Sequence, residues 1–413
     1  MGVLSGLSWS WGALRTHLRD RSIRARLDRA LEARAPLAAG RFEIGVHYAD
    51  GPLNLYQLRR WYGPLAELAK THPVLLLVRD PASALALIEE SPVPVAFVPA
   101  PADVDALLAV QPLRIVLHVD HHPLTFELMG HGRRWHVLID HGESDRTPNQ
   151  IRAYDVSLVA GDAAVDRLGR VLWGYDAGQR AIRIGRPQAD HPAGRAPFEP
   201  DGRTVVLYAP TWEGDGPATA YGSVASHGTA LIRDLLASPE HRVIYRPHPR
   251  TGTRDRDYAA ADREIAEAIA AANRADPAAR HVHDTAPELG WQLVAADVAI
   301  VDVSAMVYDR LATGKPLLVT RPVAPDAVVD TAGYLSDCEW LTADEAPALR
   351  RRLAGLSEDS AAAVRLGRWV TYHFGDTRPG AATRRFHAAI DQLLTDWERR
   401  AAREAHDEQV DLV

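Results

Sequence analysis

Two histidines have settings suited to chemistry. His141 follows the apolar run Val137-Leu138-Ile139 and stands in Asp140-His141-Gly142-Glu143-Ser144-Asp145-Arg146. A histidine at a strand tip titrates near neutrality and suits the removal of a proton from a hydroxyl, with Asp140 or Glu143 to orient it. Gly142 permits a sharp turn or a close backbone approach. A metal ligand or a histidine in a surface turn fits the same stretch, which alone does not separate the three. His248 lies in Tyr245-Arg246-Pro247-His248-Pro249-Arg250. The two prolines restrict the loop, and Arg246 and Arg250 offer paired N–H donors of the kind that clamp a diphosphate. A solvated basic loop is the plainer alternative. A third stretch, residues 298–322, ends a strand at Asp302-Val303-Ser304-Ala305 and begins a helix there. Ser304 is a natural N-cap, and N–H groups at such a helix start can face a phosphate. Capping by itself also accounts for the serine.

The flanking sequence must hold these residues at strand ends. Residues 42–48, 73–78, 95–98, 114–119, 135–140 and 156–161 read as strands, with helices over 54–70 and 84–90. Residues 186–203, rich in Pro, Gly and charge, read as a linker. The alternation then restarts, with strands at 204–210, 242–247, 298–303 and 316–321 and helices at 229–238 and 257–275. Continuous apolar strands separated by helices predict parallel sheets covered on both faces. Ligands of such sheets sit at the carboxyl ends of the strands, where all three stretches fall. A long amphipathic helix is expected from about Ala382, ending in a solvated tail.

With 413 residues the chain is too long for one ordinary core, so two domains are expected. The net charge of -7 argues against general nucleic-acid binding. One cysteine, Cys338, excludes an internal disulfide and suits the cytoplasm. No G-x-G-x-x-G follows the first strand and no P-loop pattern occurs. No apolar run spans a membrane, and the N-terminus lacks the basic start of a secretory signal. Residues 15–34 carry seven arginines against three acids, with Leu18, Ile23, Leu27 and Leu31 at helical spacing. This predicts an amphipathic helix that lies either on an anionic membrane, with Trp9 and Trp11 at the interface, or on the protein's own surface.

His118, Asp120, His121 and His122 cluster after a strand and look like metal ligands. Asp-His-His at a strand end also occurs in the DHH phosphoesterases. That family needs an Asp-x-Asp at an earlier strand tip, which this sequence lacks, so no metal is expected here.

Taken together and in order, the stretches bring out a family. Residues 204–214 (TVVLYAPTWEG), 246–249 (RPHP) and 295–319, with His141-Gly142 upstream, resemble the CDP-glycerol glycerophosphotransferases of teichoic-acid and capsule synthesis. Residues 374–386 (FGDTRPGAATRRF) are similar to that family's closing motif, with Arg378 and Arg384 or Arg385 as counterparts. Val303, Ala305 and Glu143-Ser144-Asp145 depart from the pattern.

The resemblance implies an α/β, GT-B-like fold: two doubly wound Rossmann-type domains facing a cleft, plus the N-terminal basic helix. The expected divisions are a basic segment at 1–40, an acceptor domain at 41–190, a CDP-donor domain at 200–390, and a helix and tail at 391–413. The implied reaction moves a polyol phosphate from a CDP-activated donor to a hydroxyl of a polymer or lipid-linked acceptor, releasing CMP. His141 would be the base, and His248 would stabilise the diphosphate. Arg246, Arg250, Thr211, Asp302, Ser304 and Arg378 would bind it, while Glu143, Ser144 and Asp145 would contact the acceptor or orient the base. No cofactor is implied beyond the donor substrate. Such acceptors place the enzyme in the cytoplasm at the inner face of the membrane, with residues 1–34 as the contact. The alternatives are a GT-B sugar transferase using a UDP- or GDP-sugar, and a non-catalytic nucleotide-binding protein of surface-polymer assembly.

Overall fold

The structure, a computed structural model, describes residues 20–140, 147–329 and 333–410. Two parallel sheets follow one another in the chain. The first contains β1 (Ile44–Tyr48), β2 (Val74–Val78), β3 (Val95–Phe97), β4 (Ile115–His118), β5 (Trp135–Leu138), β6 (Val156–Val159) and β7 (Ala181–Arg183), in the order β3-β2-β1-β4-β5-β6-β7. The second contains β8 (Thr204–Ala209), β9 (His241–Tyr245), β10 (Val282–His283), β11 (Val298–Val301), β12 (Leu317–Thr320) and β13 (Trp340–Leu341), in the order β10-β9-β8-β11-β12-β13. The expected strands are all present, and every residue of β1 and β2 is buried. That is why the runs read as continuously apolar: helices cover both faces of each sheet. The strand order reverses beside β1 in one sheet and beside β8 in the other, which opens a crevice at each switch point.

The stretch expected as one helix over 54–70 is broken. Leu55–Arg59 is followed by a restart at Tyr62–Leu68. Pro64 has no N–H to give to an earlier carbonyl, so it sits in a first turn rather than mid-helix. The break turns Trp61 inward, where it is fully buried against Phe386.

Two helices bear on questions that the sequence left open. Residues 20–32 are helical, with Leu27 in the first domain's core and Leu31 packed against it. The described part of the apolar stripe is therefore used by the protein itself, and Arg21, Arg26 and Arg29 point outward. The helix Ala381–Val410 returns to the first domain, where Phe386, Ala389, Ile390 and Leu393 join the core of β1 and β4. The expected boundary at residue 390 falls inside this returning helix. The domains meet elsewhere too: Asp309 faces both Arg60 and Arg186, and Ala193 bridges to Gly290. A side chain on Gly290 would meet the Ala193 backbone at 2.2 Å.

Candidate active site

The second sheet brings three of the predicted stretches together, because β9, β8 and β11 are neighbours. Thr211 follows β8, His248 follows β9, and Asp302 and Ser304 follow β11. Asp302 is fully buried at this junction. Its Oδ2 accepts from the backbone N–H groups of Thr211 (2.8 Å) and Ser223 (3.0 Å), and its Oδ1 accepts from the Thr320 hydroxyl (2.5 Å). Burial raises its pKa to about 6, against the pull of those hydrogen bonds. With both oxygens engaged by the protein, Asp302 ties the β8 and β11 loops together. Ser304 caps the helix Ala305–Leu311: its Oγ accepts from the Met306 N–H and lies 3.3 Å from the Asp302 carbonyl oxygen.

The loop after β9 is equally organised. The Arg250 backbone N–H donates to His248 Nδ1 at 3.1 Å. In the neutral ring that bond puts the proton on Nε2. Burial lowers the His248 pKa and the Arg250 charge lowers it further, so the ring is a neutral donor near pH 7. The imidazole stacks on Trp212 (centroids 6.3 Å, planes 25° apart), and the Arg250 guanidinium lies 3.4 Å from the indole centroid. Arg246 is held by Asp284, with Nη1 and Oδ2 2.5 Å apart. Asp284 Oδ2 also accepts from Gln292 Nε2 at 2.6 Å. The Glu213 side chain accepts from the N–H groups of Arg254 and Asp255, both at 3.1 Å, folding the next turn against the β8 loop. Trp212, Glu213, Asp284 and Gln292 were not singled out from the sequence. The one signal in the sequence is the aromatic type of Trp212 directly after a strand end.

Arg378 belongs to the closing stretch, residues 374–386. It lies in the turn before the helix Ala381–Val410, its side chain is 84% exposed, and it pairs with Asp376 at 2.7 Å. That pairing holds the Asp376 carboxyl well below the usual carboxylate range.

In the first domain, His141, Gly142, Glu143, Ser144 and Asp145 lie outside the described residues. The residue before them is informative. Asp140 has φ +49°, a left-handed conformation that is strained for a residue with a side chain. Trp61 Nε1 donates to its carbonyl at 2.5 Å, so the inward tryptophan holds the Asp140 peptide in place.

The histidine cluster resolves into separate partnerships. His118 and His136 meet at 3.2 Å, and His121 Nδ1 lies 3.0 Å from the Tyr154 hydroxyl. His122 caps a helix by accepting from the Leu124 N–H. Asp120 accepts from the His122 N–H. Among the described residues, no group of three or more His, Cys, Asp or Glu could hold a metal ion.

The fold recurs in solved structures. The wall teichoic acid polymerase TagF is 14% identical, with 94% of this chain and 98% of that one covered, at a TM-score of 0.55. The same polymerase after a 15-minute CDPG soak gives 13% identity and 0.56, over 94% and 98%. A putative UDP-N-acetylglucosamine 2-epimerase from Listeria monocytogenes gives 12% and 0.54, over 86% of this chain and 98% of that one. At these identities the likeness establishes the GT-B-type arrangement of two Rossmann-like domains. No curated protein matches the chain. The sequence pattern of the CDP-glycerol:poly(glycerophosphate) glycerophosphotransferases does match, over residues 114–324 and thus just over half of the length, and the chain belongs to that family.

Proposed function

We propose that the β8–β9–β11 loops bind the diphosphate of a CDP-linked polyol and that the first domain presents the acceptor. Family membership makes the chain a transferase of glycerol phosphate from CDP-glycerol; the proposal is the division of labour among its residues. The carrying observation is the His248 loop, whose backbone bond to Nδ1 leaves a neutral ring with an Nε2–H donor. Such a donor stabilises charge that grows on the leaving phosphate without first having to lose a proton. Arg246, Arg250, Thr211 and Ser304 supply further donors around it, and Asp302 acts by holding the loops. In the reaction, the acceptor oxygen bonds to the β-phosphorus and gives its proton to His141. The bond between the β-phosphorus and the bridging oxygen breaks, and CMP leaves. Glu143, Ser144 and Asp145 stay assigned to the acceptor or to orienting His141.

Calorimetric titration with CDP-glycerol, CDP-ribitol, UDP and GDP tests the donor class. Binding of a CDP-polyol, followed by CMP release on adding acceptor, is expected. Binding of UDP or GDP alone would hand the chain to the sugar transferases.

The acceptor is proposed to be a teichoic-acid-like polymer, lipid-linked at the inner membrane face. No helix among the described residues is long and apolar enough to cross a membrane. The support is the outward arginine face of residues 20–32. Changing Arg21, Arg26 and Arg29 together to Glu should shift the protein from anionic vesicles to the supernatant in a sedimentation assay. Unchanged partitioning would remove this contact.

A further inference from the structure

The loop after β9 and the turn that follows it carry three arginines, and each is already faced by a carboxylate. Arg246 is held by Asp284, while Arg250 and Arg254 share Asp215, whose Oδ1 lies 3.7 Å from one and 3.2 Å from the other. The carboxylates of this region differ in what else they do. Asp284 is buried and also accepts from Gln292 Nε2 and the Ala286 N–H. Glu213 accepts from the N–H groups of Arg254 and Asp255, and Asp255 caps the helix Arg256–Ala275. Asp215 has no such duty. Its side chain is 71% exposed, and among the described residues it meets the two arginines alone. It stands just after Gly214, whose φ of +88° is a left-handed conformation that favours glycine and turns the β8 loop back toward the β9 loop. Arg254 is fastened to the same turn, its Nη1 donating to the Asp215 carbonyl at 3.2 Å. Its guanidinium lies 5.2 Å from the Trp212 indole centroid, on the ring that also carries Arg250 and His248. One indole thus gathers two arginines and the histidine.

We propose that Arg254 is a further arginine of the diphosphate clamp, and that Asp215 is the clamp's resident counter-ion, which the donor's phosphate displaces. An exposed ion pair contributes at most about a factor of five to an equilibrium, so Asp215 gives way readily. A phosphate replaces its one carboxylate with more charge and more acceptor oxygens, matched to the paired donors of each guanidinium. Until the donor arrives, Asp215 keeps two neighbouring like charges from repelling each other beside the indole. The inference rests on the reading of the His248 loop as the donor site. It adds to that reading a residue that touches the donor and one that competes with it.

The test is calorimetric titration of the full chain with CDP-glycerol and with UDP, at one low ionic strength because salt screens exposed charges. Both side chains are more than half exposed, so neither substitution threatens the fold. Asp215→Asn keeps the shape and removes the charge, and should tighten CDP-glycerol binding about three- to fivefold. Arg254→Gln should weaken it about tenfold, the loss of a charge-assisted contact. Arg254→Gln made in the Asp215→Asn background should weaken binding at least as much, since the guanidinium there has no competitor. Were Arg254 only a support for Asp215, its loss would be silent in that background. Unchanged or weaker CDP-glycerol binding by Asp215→Asn, or a silent Arg254→Gln in the double variant, overturns the proposal. The two readings fail separately. UDP bound in place of CDP-glycerol, and bound more tightly by Asp215→Asn, sinks the CDP-donor assignment and leaves the clamp standing. CDP-glycerol binding that Asp215→Asn weakens or leaves alone sinks the clamp's counter-ion and leaves the donor assignment.

Discussion

His248 is the residue whose chemistry the surrounding loop defines most fully. Pro247 and Pro249 fix its backbone, the Arg250 N–H fixes its tautomer, and Trp212 covers its ring. Its Nε2–H is thus aimed by three independent constraints, as a transition-state donor must be. His248→Ala should lower the single-turnover rate of CMP release by about 10²–10³ with a smaller change in donor affinity, the pattern of a lost transition-state contact. Burial is the larger cause of the lowered pKa and the Arg250 charge the second. Removing that charge makes protonation easier, so Arg250→Gln should move the His248 titration upward toward the ordinary 6.5, followed by NMR of the imidazole. A downward shift or none would mean that Arg250 does not face the ring. Arg246 is positioned from further away in the chain, by Asp284 and through it by Gln292. A tripeptide context shows the Pro-His-Pro bracket at once. It shows nothing of a carboxylate 38 residues downstream.

At the scale of elements, most strands were legible because a parallel strand buried on both faces must be apolar throughout. The strands that escaped reading, β7, β10 and β13, are two or three residues long, and each is at a sheet edge. Their side chains face less of the core, so they carry no apolar run. The broken helix at Trp61 escaped for another reason: Pro64 announces a break, but the sequence gives no hint that the turned-in indole will reach the Asp140 carbonyl. Strands β1, β4 and β5 also place His47, His118 and His136 side by side and buried. Burial lowers the pKa of all three, that of His47 to about 3. In the unfolded chain each takes up a proton near 6.5. Below that pH the unfolded state binds protons that the folded state refuses, so stability must fall as pH falls. Each histidine contributes a slope of about 1.4 kcal/mol per pH unit, from near 6.5 down toward its folded value. Above pH 7.5 or so these groups add no slope, since both states are neutral there. Urea unfolding midpoints at pH 7.5, 6.0 and 5.0 check this, and a midpoint independent of pH over that range would contradict the buried neutral ladder.

At the scale of the whole molecule, the two halves of the proposed site lie on different domains, so what holds the domains together controls the reaction. Residues 114–324 carry the family pattern across both sheets, and the helix Ala381–Val410 ties the chain's end back to the first core. Between the domains, Asp309 is buried on the helix that Ser304 caps, and both arginines facing it come from the first domain or the linker after it. Arg60 Nη1 lies 3.1 Å from Asp309 Oδ2, and Arg186 donates to Oδ1. Arg186 is itself nearly buried, so deleting the carboxylate strands a guanidinium in a dry interface. Breaking such a pair costs about 3–5 kcal/mol, whereas replacing both partners by apolar residues can be neutral. Asp309→Ala should therefore lower the thermal midpoint strongly and expand the molecule in small-angle scattering. Asp309→Leu combined with Arg186→Met should recover much of the stability, because no charge is left unpaired. If the ion pair also sets the closed geometry, the recovered double variant still shows slow CMP release with unchanged CDP-glycerol affinity, since the donor loops sit wholly within the second domain. A double variant that regains both stability and rate would reduce Asp309 to a local packing group and leave closure to the returning helix.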